Sequence, residues 1–160
     1  MRIGQGFDAH AFCAGHGITL GGVLIPCSWG LAAHSDGDVL LHALCDALLG
    51  AAGLGDLGSF FPESNVPENC DSRVLLRQVA DQLRQQDFKL INMDATLIAQ
   101  KPRLQPFVAD MCQLIAADLQ CSPTCVNIKS TTTDGLGFTG RKEGIAATVV
   151  VLLSDPGSLK

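Results

Sequence analysis

The chain has 160 residues, of which 47% are hydrophobic and 17% are charged, and its formal net charge is −5. This length is enough for one domain with a buried core, and the composition excludes disordered and fibrous proteins. The negative charge and the lack of a lysine- or arginine-rich run argue against a nucleic-acid partner. An anionic ligand would therefore depend on local cations, backbone amides or metal ions.

The N-terminus and the cysteines indicate the compartment. Residues 1–8 lack the apolar core of a signal peptide, and the longest apolar run, 145–153, is too short to cross a bilayer. The seven cysteines are odd in number and form no CxxC pair. We expect a cytoplasmic protein of bacterial type, with reduced thiols and no membrane partner.

The first predicted element is a strand over residues 2–10. Alternate side chains of a strand share a face, so Asp8 and His10 project together. Gly4 and Gly6 lie on that same face and leave room for another element to approach closely.

A hairpin and a helix are predicted next. Residues 18–26 indicate a hairpin with two glycines at its turn. The helix begins near Gly37, where Asp36 is expected to cap it, and ends within 50–55. Its apolar side consists of Leu40, Leu41, Leu44, Leu48 and Leu49.

One polar face of this helix carries a histidine between two carboxylates. Asp38, His42 and Asp46 are four residues apart and therefore line the same side. A metal-bound imidazole commonly donates its other ring N–H to a carboxylate. We therefore expect Asp38 and Asp46 to hold the ring of His42.

The rest of the chain alternates between helices and strands. Prolines and asparagines predict a mobile loop over 55–69. There follow a helix capped at Asp71 and Ser72, a strand over 89–99 with Ile91, Met93, Ala95 and Leu97 on one face, a helix after Pro106, and strands over 126–131 and 144–153. The last strand is nearly all apolar, which predicts a central or fully covered position.

This order of elements predicts the α+β class. We expect one domain over residues 1–160, built as a two-layer α/β sandwich. A mixed sheet of about four main strands would carry helices on one face, with a small hairpin beside it. The pattern leaves the order of the strands open.

Asp8, His10 and His42 are the candidate metal ligands. Two imidazoles and a carboxylate with one open position form a common donor set for catalytic zinc. The alternative is that Asp8 caps a turn and the histidines are ordinary polar residues. The carboxylates beside His42 favour the metal.

Two further stretches could bind phosphate. His34 and Ser35 precede the helix N-terminus, where anions bind, although Ser35 could equally be an N-cap. Residues 129–141 combine hydroxyls, glycines, a carboxylate and flanking cations, which suits a cradle for phosphate and a divalent ion. The same segment could be a hairpin turned at Asp134 and Gly135, and both interpretations can hold.

Four motifs, in this order, closely resemble the family of 2-C-methyl-D-erythritol 2,4-cyclodiphosphate synthases. They are Arg2-Ile-Gly-x-Gly-Phe-Asp8-x-His10, His34-Ser-Asp-Gly-Asp38, Leu-Gly-Asp56-Leu-Gly58-x-x-Phe61-Pro62 and Thr131-Thr-Thr-x-x-Leu-Gly-Phe138-Thr-Gly-Arg141-x-Glu143-Gly. The resemblance implies a cyclising phosphorus-oxygen lyase of the non-mevalonate isoprenoid pathway. In that reaction the 2-phosphate of 4-diphosphocytidyl-2-C-methyl-D-erythritol 2-phosphate attacks the β-phosphorus. CMP leaves, and 2-C-methyl-D-erythritol 2,4-cyclodiphosphate forms.

The resemblance also implies roles for single residues. Zinc would sit on the three candidate ligands, and magnesium or manganese would bridge the α- and β-phosphates from Asp134. His34 and Thr132 would make the catalytic contacts in the transition state.

The substrate-binding residues that the resemblance implies form two groups. Those at the methylerythritol end are Asp56, Leu57, Gly58, Phe61, Pro62, Glu63, Ser64 and Asn65. Those at the cytidine-diphosphate end are Ala99, Gln100, Lys101, Pro102, Arg103, Leu104, Gln105, Thr131 and Thr133. Further substrate contacts are Ser35, Phe138 and Arg141.

Family members are homotrimers with each site at a subunit interface. The resemblance places Arg141 and Glu143 near the threefold axis, beside an apolar cavity that is partly lined by Phe7 and holds an isoprenoid diphosphate in some members. Four positions depart from the family pattern: Asp134 replaces glutamate, Glu63 aspartate, Arg103 lysine and Gln105 an apolar residue.

Two other functions stay open on the residues alone. A zinc phosphohydrolase would use the same three ligands to activate water. A non-enzymatic module that binds a nucleotide or an isoprenoid diphosphate would use a structural metal, closed by a fourth ligand such as Cys45 or His16.

Overall fold

The computed structural model describes residues 1–156, so the last four residues of the predicted domain, 157–160, lie outside the described part. The strands are β1 Arg2–Ala14, β2 Ile18–Leu20, β3 Val23–Ile25, β4 Trp29–Leu31, β5 Lys89–Ile98, β6 Val126–Thr131 and β7 Gly144–Ser154. The helices are α1 Val39–Ala52, α2 Leu57–Phe60, α3 Ser72–Gln85, α4 Val108–Leu119 and α5 Gly137–Gly140, with 3-10 turns at Glu63–Asn65, Gln105–Phe107 and Pro123–Cys125.

Five strands form one mixed sheet in the order β4-β1-β7-β5-β6, and β2 and β3 form the predicted hairpin. β7 is central, as its apolar sequence predicts, and pairs antiparallel with both β1 and β5. β6 extends the sheet as a parallel neighbour of β5. Because β6 and β7 are not neighbours, the hairpin interpretation of Asp134 and Gly135 is wrong, and this segment instead leads into α5.

The helices cover one face of the sheet. α1 packs on β1 and β7, α4 packs on β6, and α3 packs against both helices. The opposite face leaves Ile3, Phe7 and Val150 exposed. The predicted α+β class with a mixed sheet is confirmed, and the three-residue β4 brings the number of strands in the sheet to five.

The close packing of α1 on β1 depends on Gly4 and Gly6. A Cβ atom on Gly4 would overlap the carbonyl oxygen of Ala47, and one on Gly6 would overlap that of Ala43. The bare backbone of β1 therefore lets α1 approach closely, as the sequence predicts. The five leucines expected on the apolar side of α1 are all buried.

α1 is capped by Asp38 and not by Asp36, which corrects the sequence-based expectation. Asp38 is fully buried, and its Oδ1 accepts hydrogen bonds from the N–H groups of Leu41 at 3.0 Å and Gly21 at 2.9 Å. Its Oδ2 accepts from the N–H of Gly22 at 2.7 Å, so one carboxylate joins the helix to the hairpin. Burial raises the pKa of Asp38 to about 6, although the three N–H donors favour its ionised form.

Two other expectations change in detail. A β-bulge between Leu90 and Asn92 turns Ile91 away from the buried face, so Ile91 is 38% exposed while Met93 is buried. The segment expected to be a mobile loop contains α2 and a 3-10 turn, and the half-buried rings of its Phe60 and Phe61 meet edge to face at 4.9 Å.

All seven cysteines lie within the described residues and are free thiols. In the same part of the chain, no helix has the length and apolar character needed to cross a membrane.

Candidate active site

Three side chains from β1 and α1 converge on one point. The Oδ2 atom of Asp8 lies 3.0 Å from Nε2 of His10 and 3.0 Å from Nδ1 of His42. The two imidazole nitrogens are 3.1 Å apart. Within residues 1–156 these three residues form the one group of three or more histidine, cysteine and acidic side chains able to share an ion.

The shape of this triangle suits a small cation. Zinc bonds of about 2.0–2.1 Å at tetrahedral angles separate ligand atoms by roughly 3.3 Å, close to the distances found here. Neither Cys45 nor His16 joins the group: Cys45 is buried in the core, and His16 is exposed in the connection after β1. The donor set thus consists of three residues, as in a catalytic centre with an open position.

The charges of Asp8 and His10 are coupled. Burial raises the pKa of Asp8, but hydrogen bonds and charge attraction from His10 and His42 outweigh burial and hold this pKa well below its usual range. The hydrogen bond to Asp8 raises the pKa of His10, against the opposing effect of burial. Without a metal, a proton on His10 therefore offsets the carboxylate charge, and a cation can replace it.

The outer nitrogens of the two imidazoles have different partners. Nδ1 of His10 lies 3.1 Å from the carbonyl oxygen of Ala32, which can only accept, so in neutral His10 the lone pair of Nε2 faces the centre. Nε2 of His42 lies 3.1 Å from Oγ of Ser35 and 2.9 Å from Oγ of Ser72.

The structure does not place Asp38 and Asp46 as partners of the His42 ring, which corrects that expectation. Asp38 turns inward to the hairpin, and Oδ1 of Asp46 accepts the N–H of Leu57 at 2.7 Å. Ser72, which the sequence indicates only as part of a helix cap, is the partner of the His42 ring instead. Its distance of 30 positions from His42 left no local signal in the sequence.

A cavity of about 200 Å³ is lined in part by His10 and His42. It brings together many of the residues expected to bind the methylerythritol end, and its lining includes His34, Ser35, Leu57, Gly58, Phe61 and Glu63. Nε2 of His34 lies 2.8 Å from the carbonyl oxygen of Val66, and its Nδ1 lies 3.4 Å from Oε1 of Glu63. Asp56, Pro62, Ser64 and Asn65 are exposed in the same segment.

A second cavity, of about 490 Å³, lies at the carboxyl ends of β5 and β6. Its lining contains the residues expected at the cytidine-diphosphate end, from Ala99 through Gln100, Lys101, Pro102, Arg103, Leu104 and Gln105 to Thr131, together with Ser130 and Thr132. The Lys101–Pro102 peptide bond is cis. Ser130, which lies in the phosphate cradle predicted over 129–141, is not among the substrate-binding residues that the resemblance implies.

Both cavities open at the same end of the sheet. One lies at β1 and the other at β6, which is three strand spacings away. His10 pairs with Ile145 on β7, and the neighbouring Ala146 pairs with Ile98 on β5, which pairs with Thr131 on β6. Neighbouring strands are about 4.8 Å apart, so His10 and Thr131 of one chain are separated by roughly 14 Å.

The remaining expected residues lie away from the three ligands. Asp134 is exposed in a turn after β6, where its Oδ1 accepts a hydrogen bond from the hydroxyl of Thr132 at 3.2 Å. Arg141 donates from Nε and Nη2 to the two carboxylate oxygens of Glu143 at 2.8 and 3.2 Å. Phe138 follows the same turn and is 41% exposed, as part of α5. The hydroxyl of Thr133 donates to the carbonyl oxygen of Leu136 at 2.5 Å.

The fold and the site define an α+β protein with a metal-binding group of two histidines and one aspartate beside a cavity. A model of the YgbB family matches residues 1–154, and the chain belongs to this family.

Relatives and solved structures agree with this assignment. The chain is 56% identical over 156 residues to the 2-C-methyl-D-erythritol 2,4-cyclodiphosphate synthase of Cellvibrio japonicus (strain Ueda107), covering 97% of this chain and 98% of the relative. The bifunctional IspDF of Campylobacter jejuni superposes with a TM-score of 0.91 and 46% identity over 95% of this chain and 42% of that longer chain. The CDP complex of IspF from Plasmodium falciparum superposes with a TM-score of 0.86 and 30% identity, over 98% of this chain and 97% of that one. The family resemblance found in the motifs is therefore confirmed.

Proposed function

We propose that this single-domain chain converts 4-diphosphocytidyl-2-C-methyl-D-erythritol 2-phosphate to 2-C-methyl-D-erythritol 2,4-cyclodiphosphate and CMP. Its relatives are named for this synthase activity, and its own residues supply a site suited to it. The observation that carries the proposal is the convergence of Asp8, His10 and His42 to within 3.1 Å beside a cavity.

The metal that these three residues would hold is zinc. Two imidazoles and one carboxylate suit zinc in charge and softness, and their geometry leaves one position free. Zinc bound there would polarise a phosphate oxygen of the substrate and offset the charge that develops in the transition state.

The protein's main contribution is then to fold the substrate back on itself. Phosphoryl transfer depends mostly on positioning and charge stabilisation, and here both nucleophile and leaving group belong to the substrate. His34 and Ser35 lie in the wall of the small cavity, where they would orient phosphate oxygens. No serine or cysteine nucleophile is required, and the buried thiol of Cys45, whose pKa burial raises, is unsuited to be one.

The second cavity is the proposed site of the cytidine diphosphate. It combines the side chains of Lys101 and Arg103 with the hydroxyls of Thr131 and Thr132, a suitable set for a diphosphate. We propose that Thr132 contacts the transferring group and that Asp134 holds magnesium or manganese there. The aspartate side chain is one methylene shorter than the family's glutamate, so a water molecule would bridge part of the distance.

The separation of the two cavities supports a homotrimer in which one subunit completes the site of the next. Within one chain roughly 14 Å divides the three ligands from Thr131. The sheet face that carries Ile3, Phe7 and Val150 is open and apolar enough to pack against further subunits. We propose that Phe7, Arg141 and Glu143 approach the threefold axis, where they would bind an isoprenoid diphosphate.

A product assay tests the reaction. The purified protein is incubated with the cytidyl substrate, with zinc and magnesium each present or omitted, and phosphorus-31 NMR identifies the products. We expect the cyclic diphosphate and CMP in equal amounts. Open-chain products would instead establish a zinc phosphohydrolase, and binding without turnover would establish a structural metal.

A further inference from the structure

The outer nitrogen of His42 has a buried partner that the proposed reaction does not explain. Nε2 of His42 lies 2.9 Å from Oγ of Ser72, the first residue of α3. Ser72 is fully buried and, like Asp36, is not part of the lining of the cavity beside the three ligands. A contact with substrate therefore does not account for either side chain.

The direction of the hydrogen bonds follows from counting protons. Ser72 has one hydroxyl proton, which it donates to Oδ1 of Asp36 at 2.5 Å. Oγ of Ser72 is therefore left as the acceptor toward His42. This arrangement favours a proton on Nε2 of His42 and leaves the lone pair of Nδ1 free for a metal, whereas Oδ2 of Asp8, 3.0 Å from Nδ1, favours a proton on Nδ1 in the metal-free protein.

Asp36 is itself held in place from two sides. Its Oδ1 accepts the N–H of Asp38 at 3.1 Å, and its Oδ2 accepts the N–H of Ser72 at 3.1 Å, at the first turn of α3. A carboxylate at this end of a helix interacts favourably with the helix dipole. The N–H of Asp36 also donates to the carbonyl oxygen of Cys70 at 3.1 Å, which fixes the backbone beside it.

Ser35, the other partner of Nε2 of His42, does not determine the tautomer. Its Oγ accepts the N–H of Gly37 at 3.2 Å, and its own proton is free to turn toward or away from Nε2 of His42, 3.1 Å away. Ser35 can thus either donate or accept. The pair Asp36 and Ser72 allows one direction only.

We propose that Asp36 and Ser72 are positioning residues that shift His42 toward the Nε2–H tautomer, against the attraction of Asp8 for a proton on Nδ1, and thereby raise the affinity of the site for its metal. The carboxylate expected behind His42 thus comes from Asp36, relayed through a hydroxyl on α3. This inference rests on the proposed metal centre for its effect on affinity, whereas the tautomer itself is a property of the metal-free protein.

The test uses the full chain with Ser72→Ala and Asp36→Asn, and with Ser154→Ala as a matched control. Ser154 is also a buried serine, and its Oγ accepts the N–H of Lys89 at 3.2 Å at the other end of the sheet. Nitrogen-15 NMR of the metal-free proteins, above the pKa of His10, reports which nitrogen of His42 carries the proton. Competition with a chelator gives the affinity for zinc alone.

We expect the wild type and Ser154→Ala to contain a larger fraction of the Nε2–H tautomer than Ser72→Ala and Asp36→Asn, in which Asp8 draws the proton to Nδ1. Zinc affinity should fall by about 10–100-fold in the latter two, the usual loss when a partner of a ligating histidine is removed. Ser72→Thr, which keeps the hydroxyl, should restore both readouts. The proposal is overturned if folded Ser72→Ala or folded Asp36→Asn shows the same tautomer fractions and the same zinc affinity as the wild type.

The two proposals fail separately in this design. A tautomer that depends on Ser72, in a protein that binds zinc weakly even as wild type, would support the positioning role and contradict the zinc centre. If Ser72→Ala or Asp36→Asn does not fold, the other variant is used, because each interrupts the hydrogen-bond chain from Asp36 through Ser72 to His42 at a different residue. Circular dichroism before each measurement establishes that the variant is folded.

Discussion

Gly6 on β1 lies directly against the carbonyl oxygen of Ala43 on α1, so close that a Cβ atom on Gly6 would overlap that oxygen. Ala43 is the neighbour of His42 in the helix, and Gly6 is two residues from Asp8 in the strand. The missing side chain at Gly6 therefore sets the distance across which His42 reaches the other two ligands.

Gly6→Ala should push α1 away from β1 and separate the metal ligands. We expect a loss of about 1–3 kcal/mol in the free energy of unfolding, as for other overpacked cores, together with weaker zinc binding. Gly50→Ala is the matched control, because a Cβ atom there meets nothing within 4 Å. In that helical position alanine should stabilise the protein by about 0.5–1 kcal/mol. Unchanged stability and zinc content in Gly6→Ala would contradict this role of Gly6.

His42→Ala should abolish turnover and lower the zinc content while leaving the fold intact. The imidazole is one of only three ligands, whereas its contribution to the core is small. Metal analysis and the product assay measure the two effects. His16→Ala, in an exposed residue outside the group, should retain both activity and zinc. Normal activity of His42→Ala would refute the proposed centre.

Asp134→Asn should weaken the dependence on magnesium or manganese much more than the zinc occupancy. The amide oxygen can still accept from the hydroxyl of Thr132, so the turn is preserved while one negative charge is lost. We expect the metal concentration for half-maximal activity to rise roughly tenfold, since affinity for such ions depends on ligand charge. Asp134→Glu should retain or tighten this binding. Equal losses of both metals would argue against separate sites.

The raised pKa of His10 predicts opposite pH responses with and without zinc. In the metal-free protein, protonated His10 stabilises the fold by its bond to Asp8, fully below the ordinary pKa of 6.5, and this contribution is lost as pH rises through the higher folded pKa. Zinc competes with the same proton, so its affinity should increase over the same interval. Thermal unfolding and zinc titrations at several pH values measure both trends. A metal-free protein that became more stable over that interval would disprove the coupling.

Asp38→Asn should destabilise the fold by about 1–3 kcal/mol, the cost of a buried polar group without its partner. An amide offers one acceptor oxygen, whereas the carboxylate accepts from Gly21 and Leu41 on one oxygen and from Gly22 on the other. Chemical denaturation at neutral pH measures the change. Asp110→Asn, at an exposed position of α4, should change stability by no more than about 0.5 kcal/mol. Equal effects of the two substitutions would exclude a special role for Asp38.

Local pattern predicted the main helices and strands and the three side chains that the structure brings together, Asp8, His10 and His42. Period-two alternation in β1 put Asp8 and His10 on one side, and the glycines on that side indicated the approach of α1. Local pattern failed where the position of a side chain depends on residues that are distant in sequence. Helical spacing predicted that Asp38 would contact His42, but Asp38 instead accepts hydrogen bonds from the backbone of the hairpin. In the same way, spacing along β5 predicted that Ile91 would be buried, but the bulge in that strand turns Ile91 away from the core.

Residue type and periodicity by themselves indicated that Asp8 and His10 share a face of the first strand and that His42 lies on the following helix, because both properties are local to a few residues. Tertiary structure alone decided the order of the strands, the distance between the two cavities and the choice of Asp36 and Ser72 behind His42. Those depend on hydrogen bonds between segments 30 or more positions apart, whose directions only the assembled fold determines.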